Sequence, residues 1–151
     1  MSLIRTVDEP IAEPNVYTNA HFRIEPCVSC PIAGYLIVSP RVPVSSLSQL
    51  SSDAQSSLGT TLAAATRAIE AVIRPDRVYC LLFAEETPSV HFHLFPRGEG
   101  LLSHYMHAHP TETEISGPRL LDWARSTFGS PISGDYQQNT RAIFRAIDRY
   151  I

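Results

Sequence analysis

The sequence SVHFHLFPR, residues 89–97, places two histidines two positions apart in an otherwise apolar run. Side chains alternate between the two faces of a β-strand, so one face of this segment is apolar and is expected to pack into the core: Val90, Phe92 and Leu94. The other face carries His91 and His93 beside Ser89 and Phe95. Imidazoles titrate near neutral pH and act as nucleophile, acid or base, so two of them in register predict a chemical site on this strand.

Three further segments are predicted as strands. Residues 16–24 and 34–39 are rich in β-branched and aromatic side chains, and Pro26 and Pro31 mark a loop between them. The segment RVYCLLFAEE, residues 77–86, begins as a short strand that is apolar on both faces. It is followed after a few residues by the histidine-bearing segment, and the two are therefore predicted to pair as antiparallel strands.

Apolar residues at three- and four-residue spacing predict three helices. The first begins at a capping serine, Ser51 or Ser52, and ends before Pro75. Residues 118–128 and 139–151 repeat the pattern in the last third of the chain.

The composition of the 151-residue chain is that of one ordinary globular domain. Residues 1–14 show no sustained period and are predicted as an irregular arm. The 12 basic and 15 acidic residues give a formal net charge of −3 and no sign of a general polyanion-binding surface. All 12 basic residues are arginine, so no lysine is present to act as a nucleophile. The chain has no apolar leader and no run near the ~18 apolar residues of a membrane span, and it is predicted to be cytoplasmic.

Two other groups of residues are candidates for metal binding. Cys27 and Cys30 have the spacing of a zinc or redox pair, but no second pair follows, which favours reduced thiols. Divalent-metal capture is an alternative for three clustered histidines, His104, His107 and His109. Their spacing fits neither one helix face nor one strand face, so the segment 101–110 is predicted as a loop across the top of the site. In that position Tyr105 or His104 would contact a base or sugar.

The run from Ser89 to Arg97 resembles the signature of the histidine-triad superfamily, in which three histidines alternate with hydrophobic residues, often ahead of Pro-Arg. Ser89 takes the position of the first histidine, His91 that of the second and His93 that of the third. The resemblance extends back through GYLIVSPRVPVSSLSQLSSDA, residues 34–54, which is similar to the superfamily's strand, loop and helix start. It covers about residues 16–97.

This resemblance implies an α+β fold with a five-stranded antiparallel sheet, commonly doubled in a homodimer, and a nucleotide site over the triad strand. It makes residues 1–151 a single domain of this kind, in which residues 98–151 form a divergent C-terminal extension with helices. In such enzymes the middle histidine attacks the α-phosphorus of a nucleotide, and water then cleaves the nucleotidyl-imidazole. Carried over, His91 is the nucleophile, its other ring nitrogen held by a carbonyl near Ser89, while His93 is the acid or phosphate partner. That mechanism requires no metal.

Two of the four imidazoles that the superfamily pattern implies are absent. Ser89 and Tyr35 occupy their positions. One explanation is that the two hydroxyl residues compensate each other through a Tyr35–Ser89 hydrogen bond, and the other is independent sequence drift at the two positions. Glu85 and Glu86 replace residues that contact phosphate in relatives, and each carboxylate would repel a polyphosphate by about 1 kcal/mol. This argues against a dinucleoside polyphosphate substrate. Three roles are open for the two carboxylates: binding a divalent metal, contacting an amine leaving group, or facing solvent.

The substrate contacts are also altered. Cys27 occupies the position of a ribose-binding Asp or Asn, Glu25 is a candidate substitute for that contact, and Arg97 is a candidate anion contact. Two functions are consistent with the sequence. One is a nucleotide hydrolase or nucleotidyl transferase acting through a nucleotidyl-histidine. The other is a catalytically weakened protein that binds a nucleotide or a small phosphate.

Overall fold

The strands form one antiparallel sheet in a computed structural model that describes residues 16–129 and 136–151. The predicted arm over residues 1–14 lies outside the described residues. The strands are β1 (Tyr17–Thr18), β2 (Phe22–Pro26), β3 (Leu36–Pro40), β4 (Arg77–Leu81) and β5 (Phe92–Arg97). Their order across the sheet is β1-β2-β3-β5-β4. Four α-helices belong to the described part: α1 (Ser52–Ile73), α2 (Glu99–Ala108), α3 (Gly117–Thr127) and α4 (Tyr136–Ile147). The predicted α+β fold with a five-stranded antiparallel sheet is confirmed.

The prediction of one strand over residues 16–24 was wrong, because a turn at Asn19 divides it. The Asn19 Oδ1 atom accepts hydrogen bonds from the backbone N–H groups of His21 and Phe22, at 3.0 and 2.8 Å. An asparagine side chain that binds nearby backbone groups competes with a continuing strand ladder. The segment therefore folds back as the antiparallel pair β1 and β2.

The long helix begins and ends where the sequence predicts. The Ser51 Oγ atom accepts a hydrogen bond from the N–H of Ala54 at 3.2 Å and caps the first turn of α1. At the other end Arg74 adopts a left-handed conformation with φ 54°, directly before Pro75. After α1 the chain continues into β4, which pairs with β5 as expected.

Helices cover both faces of the sheet. One face packs against α1 and α4 through a large apolar cluster that includes Phe92 and Leu94 of β5. The other face is covered in part by α2 and α3, and its cluster includes Tyr35 and Phe95. This division confirms the predicted alternation along β5. The end of the second face that carries His91 and His93 is only partly covered by a helix.

The predicted loop over residues 101–110 is instead the body of helix α2. Its apolar positions follow a helical period, and Leu101, Tyr105 and Met106 pack into the cluster shared with α3. Tyr105 is fully buried and donates a hydrogen bond from its hydroxyl to Glu112 at 2.6 Å. The histidine spacing led to the wrong prediction because the histidines do not lie on the buried stripe that forms the helix.

Candidate functional site

A cleft of about 880 Å³ opens over the partly covered end of the second sheet face. Its floor is formed by β5 with the neighbouring strands, and both His91 and His93 line it. One wall is the face of α3 that carries Leu121 and Arg125, and the opposite rim is the loop of residues 83–87 between β4 and β5. The two predicted imidazoles therefore share one concave site.

His91 is held by a single hydrogen bond to the backbone. Its Nδ1 atom lies 2.8 Å from the carbonyl oxygen of Ser89. A carbonyl oxygen only accepts, so Nδ1 carries the proton and Nε2 keeps its lone pair. Within the described residues Nε2 takes no hydrogen bond, and the ring lines the cleft. The predicted role of a carbonyl near Ser89 is confirmed.

His93 is held by a chain of two hydrogen bonds that begins on α3. The Arg125 Nη1 atom donates to the hydroxyl oxygen of Tyr35 at 3.2 Å. That hydroxyl lies 2.7 Å from Nδ1 of His93. A guanidinium has no acceptor, so the tyrosine oxygen accepts from Arg125. Among the described residues, His93 Nδ1 is the one acceptor within hydrogen-bond distance of the buried tyrosine hydroxyl, so we assign the tyrosine proton to a hydrogen bond with His93. The remaining proton of a neutral His93 then resides on Nε2.

The surroundings of His93 oppose its positive charge. It lies in the sheet between Ile37 of β3 and Leu81 of β4. Burial, the neighbouring His91 and the guanidinium of Arg125 lower the pKa of His93 from 6.5 to about 4. The residue is therefore neutral at physiological pH.

The two imidazoles are complementary in hydrogen bonding. Their ring centroids are 5.0 Å apart, and both rings line the cleft. His91 offers a bare nitrogen, whereas His93 offers an N–H donor. A bare imidazole nitrogen beside an N–H donor is an arrangement able to support phosphoryl or nucleotidyl transfer.

The predicted Tyr35–Ser89 hydrogen bond was wrong, and Tyr35 is not a substrate contact. Tyr35 is fully buried, and its ring packs edge-on against Phe95 at a centroid distance of 5.0 Å. Its hydroxyl therefore reaches His93 from behind the cleft rather than Ser89. Ser89 itself lies at the cleft, and its carbonyl is the group that holds His91.

Arg97 does not lie in the cleft, so its prediction as an anion contact was wrong. The strand carries it four residues beyond His93, where its Nη2 atom lies 4.0 Å from Asp76 Oδ2. Its side chain is only 12% exposed. The Nε atom of Arg97 is buried without a hydrogen-bond partner.

The cationic side chain that does line the cleft is Arg125, which the sequence analysis missed. Leu121 and Arg125 are four residues apart and face the same side of α3, so the helical period of residues 118–128 held a partial signal for it. Helical periodicity alone does not show that this stripe of α3 faces the strand with the histidines. Arg125 forms no ion pair with another described residue.

Acidic side chains also line the cleft. The exposed Glu85 and Glu86 lie at the rim of the cleft, as the loop position predicts. Glu25 also lines the cleft and pairs with Arg23 at 3.1 Å. Asp122 joins them from α3. The cleft is therefore unfavourable to a highly charged anion except near Arg125.

Cys27 lies at the cleft, at the end of β2, but it is only 5% exposed. Its sulfur lies 3.4 Å from the hydroxyl oxygen of Ser29. Cys30 is fully buried, and neither of these two cysteines forms a disulfide within the described residues. Burial raises the pKa of the Cys30 thiol to about 11, and the nearby Cys27 adds to the shift.

The histidines of α2 and the segment after it do not reach the cleft. His104 and His107 are exposed on the helix, and the Nδ1 atom of His109 lies 2.9 Å from the carbonyl oxygen of Tyr105. Over residues 16–129 and 136–151, no group of three or more His, Cys, Asp and Glu side chains is placed to hold a metal ion. Because His104 is exposed on α2 and Tyr105 is buried in the apolar cluster beneath it, the predicted contact of Tyr105 or His104 with a base or sugar was wrong.

Over residues 16–129 and 136–151, no helix has the length and apolar character needed to cross a membrane.

Comparison with solved structures identifies the fold. A histidine triad protein from Bradyrhizobium japonicum superposes with a TM-score of 0.60 and 18% identity, over 91% of this chain and 89% of that chain. A hypothetical histidine triad nucleotide-binding protein from Sulfolobus tokodaii gives 0.59 and 13%, over 88% and 82%. A zinc-bound histidine triad family protein from Mycobacterium smegmatis gives 0.59 and 13%, over 90% and 86%.

The sequence comparisons add no relative: neither a family model nor a curated protein matches the chain. The similarity in structure to the Bradyrhizobium japonicum protein extends over about nine-tenths of the chain. The chain has the fold of the histidine-triad superfamily.

Proposed function

We propose that the protein is a nucleotide hydrolase or nucleotidyl transferase that acts at the α-phosphate through a covalent nucleotidyl-His91 intermediate. The observation that carries this proposal is the orientation of His91. Its Nδ1 proton is committed to the Ser89 carbonyl, which leaves the lone pair of Nε2 at the cleft. A neutral imidazole attacks through this lone pair without first losing a proton.

In the first step, the Nε2 lone pair of His91 forms a bond to phosphorus, and the bond from phosphorus to the leaving group breaks with its electron pair. The imidazole becomes cationic, and the Ser89 carbonyl stabilises the charge through Nδ1–H. His93 donates its Nε2 proton in a hydrogen bond to a phosphoryl oxygen, where negative charge is concentrated.

In the second step, water attacks the phosphorus from the side opposite His91. The phosphorus–nitrogen bond breaks, its electron pair returns to Nε2, and the proton of the water passes to solvent. Another nucleophile in place of water gives nucleotidyl transfer. Neither step needs a metal ion, although Glu85 and Glu86 offer carboxylate oxygens at the rim to a divalent cation.

The substrate class is a nucleotide or a nucleotide-like molecule. The cleft volume of about 880 Å³ is in the range of small-molecule sites, and its floor includes the apolar residues Ile37 and Leu81. One protein of similar structure is named a histidine triad nucleotide-binding protein, which favours the same class. We expect the reaction to occur in the cytoplasm, where free thiols such as Cys27 and Cys30 persist.

The test is turnover of a panel of nucleotides by the protein and its His91→Ala variant. The panel includes ATP, a dinucleoside polyphosphate and an aminoacyl adenylate, and nucleoside monophosphate release is measured. Loss of the nucleophile should reduce kcat by about 10³-fold or more. His104→Ala is the matched control, because His104 lies exposed on α2 outside the cleft. Turnover that survives unchanged in His91→Ala would contradict the proposal.

The second candidate function is nucleotide or small-phosphate binding without turnover. It is favoured by Ser89 and Tyr35 at the positions of two implied histidines, and by Glu85 and Glu86 at the rim. In that case calorimetry would detect binding of a nucleoside monophosphate, while the whole panel would remain uncleaved. Arg125 would then be the residue that supplies the positive charge for the phosphate.

A further inference from the structure

The hydrogen-bond chain from Arg125 through Tyr35 fixes what His93 is able to do. Arg125 Nη1 donates to the Tyr35 hydroxyl, and that hydroxyl lies 2.7 Å from His93 Nδ1. Because the tyrosine proton occupies the Nδ1 lone pair, His93 has one N–H, at Nε2, and no second site free to receive a proton. Giving up the Nε2 proton would leave an imidazolate, since the ring is neutral at the start.

Two routes would allow His93 to act as an acid, and the surroundings oppose both. The first is prior protonation of His93, which burial in the sheet and the positive charge of Arg125 disfavour. The second is transfer of the Tyr35 proton to Nδ1 as the Nε2 proton leaves. Burial raises the pKa of the fully buried Tyr35 well above its ordinary value, so tyrosinate formation is costly there.

The charged groups that face the cleft do not replace the missing acid. They are the guanidinium of Arg125 and four carboxylates, Glu25, Glu85, Glu86 and Asp122. None of these carboxylates forms a hydrogen bond with either imidazole within the described residues.

We propose that Arg125 and Tyr35 hold His93 as a hydrogen-bond donor that does not supply a proton, which restricts the site to nucleotides whose leaving group departs as a stable anion. This inference rests on the proposed function. The bond from His91 Nε2 to phosphorus forms, the phosphorus–oxygen bond breaks, and the electron pair stays on the departing oxygen. Tyr35 is a positioning residue in this arrangement, while Arg125 also has N–H groups at the cleft for a phosphoryl oxygen.

The charges of the rim narrow the class of leaving group further. Glu85 and Glu86 repel a polyphosphate, which departs with several negative charges. A carboxylate departs with a single negative charge and needs no proton. The substrate class that fits both conditions is the nucleoside acyl phosphate, a mixed anhydride of a carboxylic acid and a nucleoside monophosphate. Alkyl phosphoramidates and alkyl esters, whose leaving groups need a proton, do not fit.

The first experiment reads the tautomers directly and does not depend on turnover. Long-range ¹H–¹⁵N correlation spectra should show a proton on Nε2 of His93 and on Nδ1 of His91 at pH 7. Tyr35→Phe should convert His93 to a mixture of tautomers, because the group that fills the Nδ1 lone pair is lost. His93 found protonated on Nδ1, or on both nitrogens, in the unaltered protein would overturn the inference.

The second experiment measures the dependence of kcat/KM on the leaving group. With adenosine 5′-phosphate aryl esters we expect a fall of about threefold or more for each unit of phenol pKa. An adenosine phosphoramidate of an alkylamine should react at least about 10²-fold more slowly than an acyl adenylate, the usual worth of an absent general acid. Equal rates across the series would overturn the inference. If no compound is turned over, the proposed function fails, and the tautomer spectra alone decide the state of His93.

The third experiment uses the pH profile, which a purely structural role of Arg125 would not change. With a poor leaving group, the rate of the unaltered protein should not increase between pH 8 and 5. Arg125→Met removes one charge and the donor to Tyr35, while burial and His91 still lower the pKa of His93. With the profile extended to pH 4, acid-dependent turnover should therefore begin at a higher pH than in the unaltered protein, and Arg125→Lys should restore the original profile. Arg119→Met is the matched control on the same helix, since Arg119 is 69% exposed and pairs with Glu112. An Arg125→Met profile identical to that of the unaltered protein would contradict the role of Arg125.

Discussion

Two histidines that are two residues apart acquire opposite properties from a few hydrogen bonds. His91 donates from Nδ1 to a backbone carbonyl and keeps a free lone pair, whereas His93 accepts at Nδ1 from Tyr35 and keeps a free N–H. His91 directly precedes β5, His93 lies within it, and both rings line the cleft. The difference comes from their partners: the carbonyl of Ser89, two residues before His91, and the hydroxyl of Tyr35, which precedes β3.

The neutral state of His93 predicts a specific pH dependence of stability. The pKa of His93 is lowered from 6.5 to about 4 by burial, His91 and Arg125. Between these two pH values the unfolded chain binds a proton at position 93 and the folded chain does not, so the free energy of unfolding falls as the pH is lowered. Because the side chain is partly exposed, we expect this loss to be about 1 to 2 kcal/mol, less than the full shift would give.

Urea unfolding of the protein and of His93→Gln at pH 7 and pH 4 measures this contribution. Glutamine does not titrate, so the variant should lose less stability over this range than the unaltered protein does. Carboxylate titrations are common to both proteins and cancel in the comparison. Equal losses in the two proteins would show that His93 is not kept neutral by the fold.

Only part of the site was predictable at the level of residues. The alternation of β5 placed His91 and His93 on one face, and the carbonyl near Ser89 was an expected partner. The hydrogen-bond partner of Tyr35 was not predictable. Tyr35 and Ser89 both carry a hydroxyl where the superfamily pattern has a histidine, which suggests a hydrogen bond between them. The actual contact depends on how far Tyr35 is buried behind β5 and on where α3 packs.

At the level of elements, Gly34 allows the end of helix α1 to pack closely against the segment before β3. Gly34 has φ +84°, and a Cβ at this position would lie 2.7 Å from Cγ1 of Ile73 at the end of α1. Gly34→Ala should therefore lower the free energy of unfolding by about 2 kcal/mol or more, through the backbone conformation and the steric overlap together. The measurement is urea denaturation monitored by circular dichroism.

Gly59→Ala is the matched control for this substitution. Gly59 lies inside α1, and a Cβ there meets nothing within 4 Å. Alanine should stabilise the helix at this position by about 0.5 to 1 kcal/mol. A Gly34→Ala variant as stable as the unaltered protein would contradict the close packing of α1 on the segment before β3.

Elements with strong periodic patterns were predicted correctly, and elements determined by contacts were not. The helix α1 has a capping serine, a long apolar stripe and a proline beyond its end, so its bounds follow from local chemistry. The turn at Asn19 depends on one side chain closing back on two N–H groups. The helix α2 was mispredicted as a loop because its histidines lie off the apolar stripe of Leu101, Tyr105 and Met106, which sets the helical period.

At the scale of the whole molecule, the sheet ends at β4, whose only partner strand in the described part of the chain is β5. An open edge is able to pair with a second copy of the chain, and we propose a homodimer on this ground together with the resemblance to histidine-triad proteins. Sedimentation equilibrium should give a mass about twice the 16.7 kDa of one chain. A mass of one chain at micromolar concentration would contradict the dimer.

The C-terminal extension changes the site at this same scale. Helix α3 belongs to it, and this helix supplies Arg125 and one wall of the cleft. Residues outside the histidine signature therefore decide the state of an imidazole inside it. This dependence explains why the signature alone did not predict the partners of His93.

The central claim is that His91 becomes covalently linked to phosphorus. Rapid quenching of the protein with a labelled acyl adenylate, followed by mass spectrometry of alkali-stable peptides, tests it most directly. We predict one nucleotidyl group per chain, attached to His91 and absent from His91→Ala. Turnover with no trapped adduct, or an adduct that persists in His91→Ala, would contradict the account.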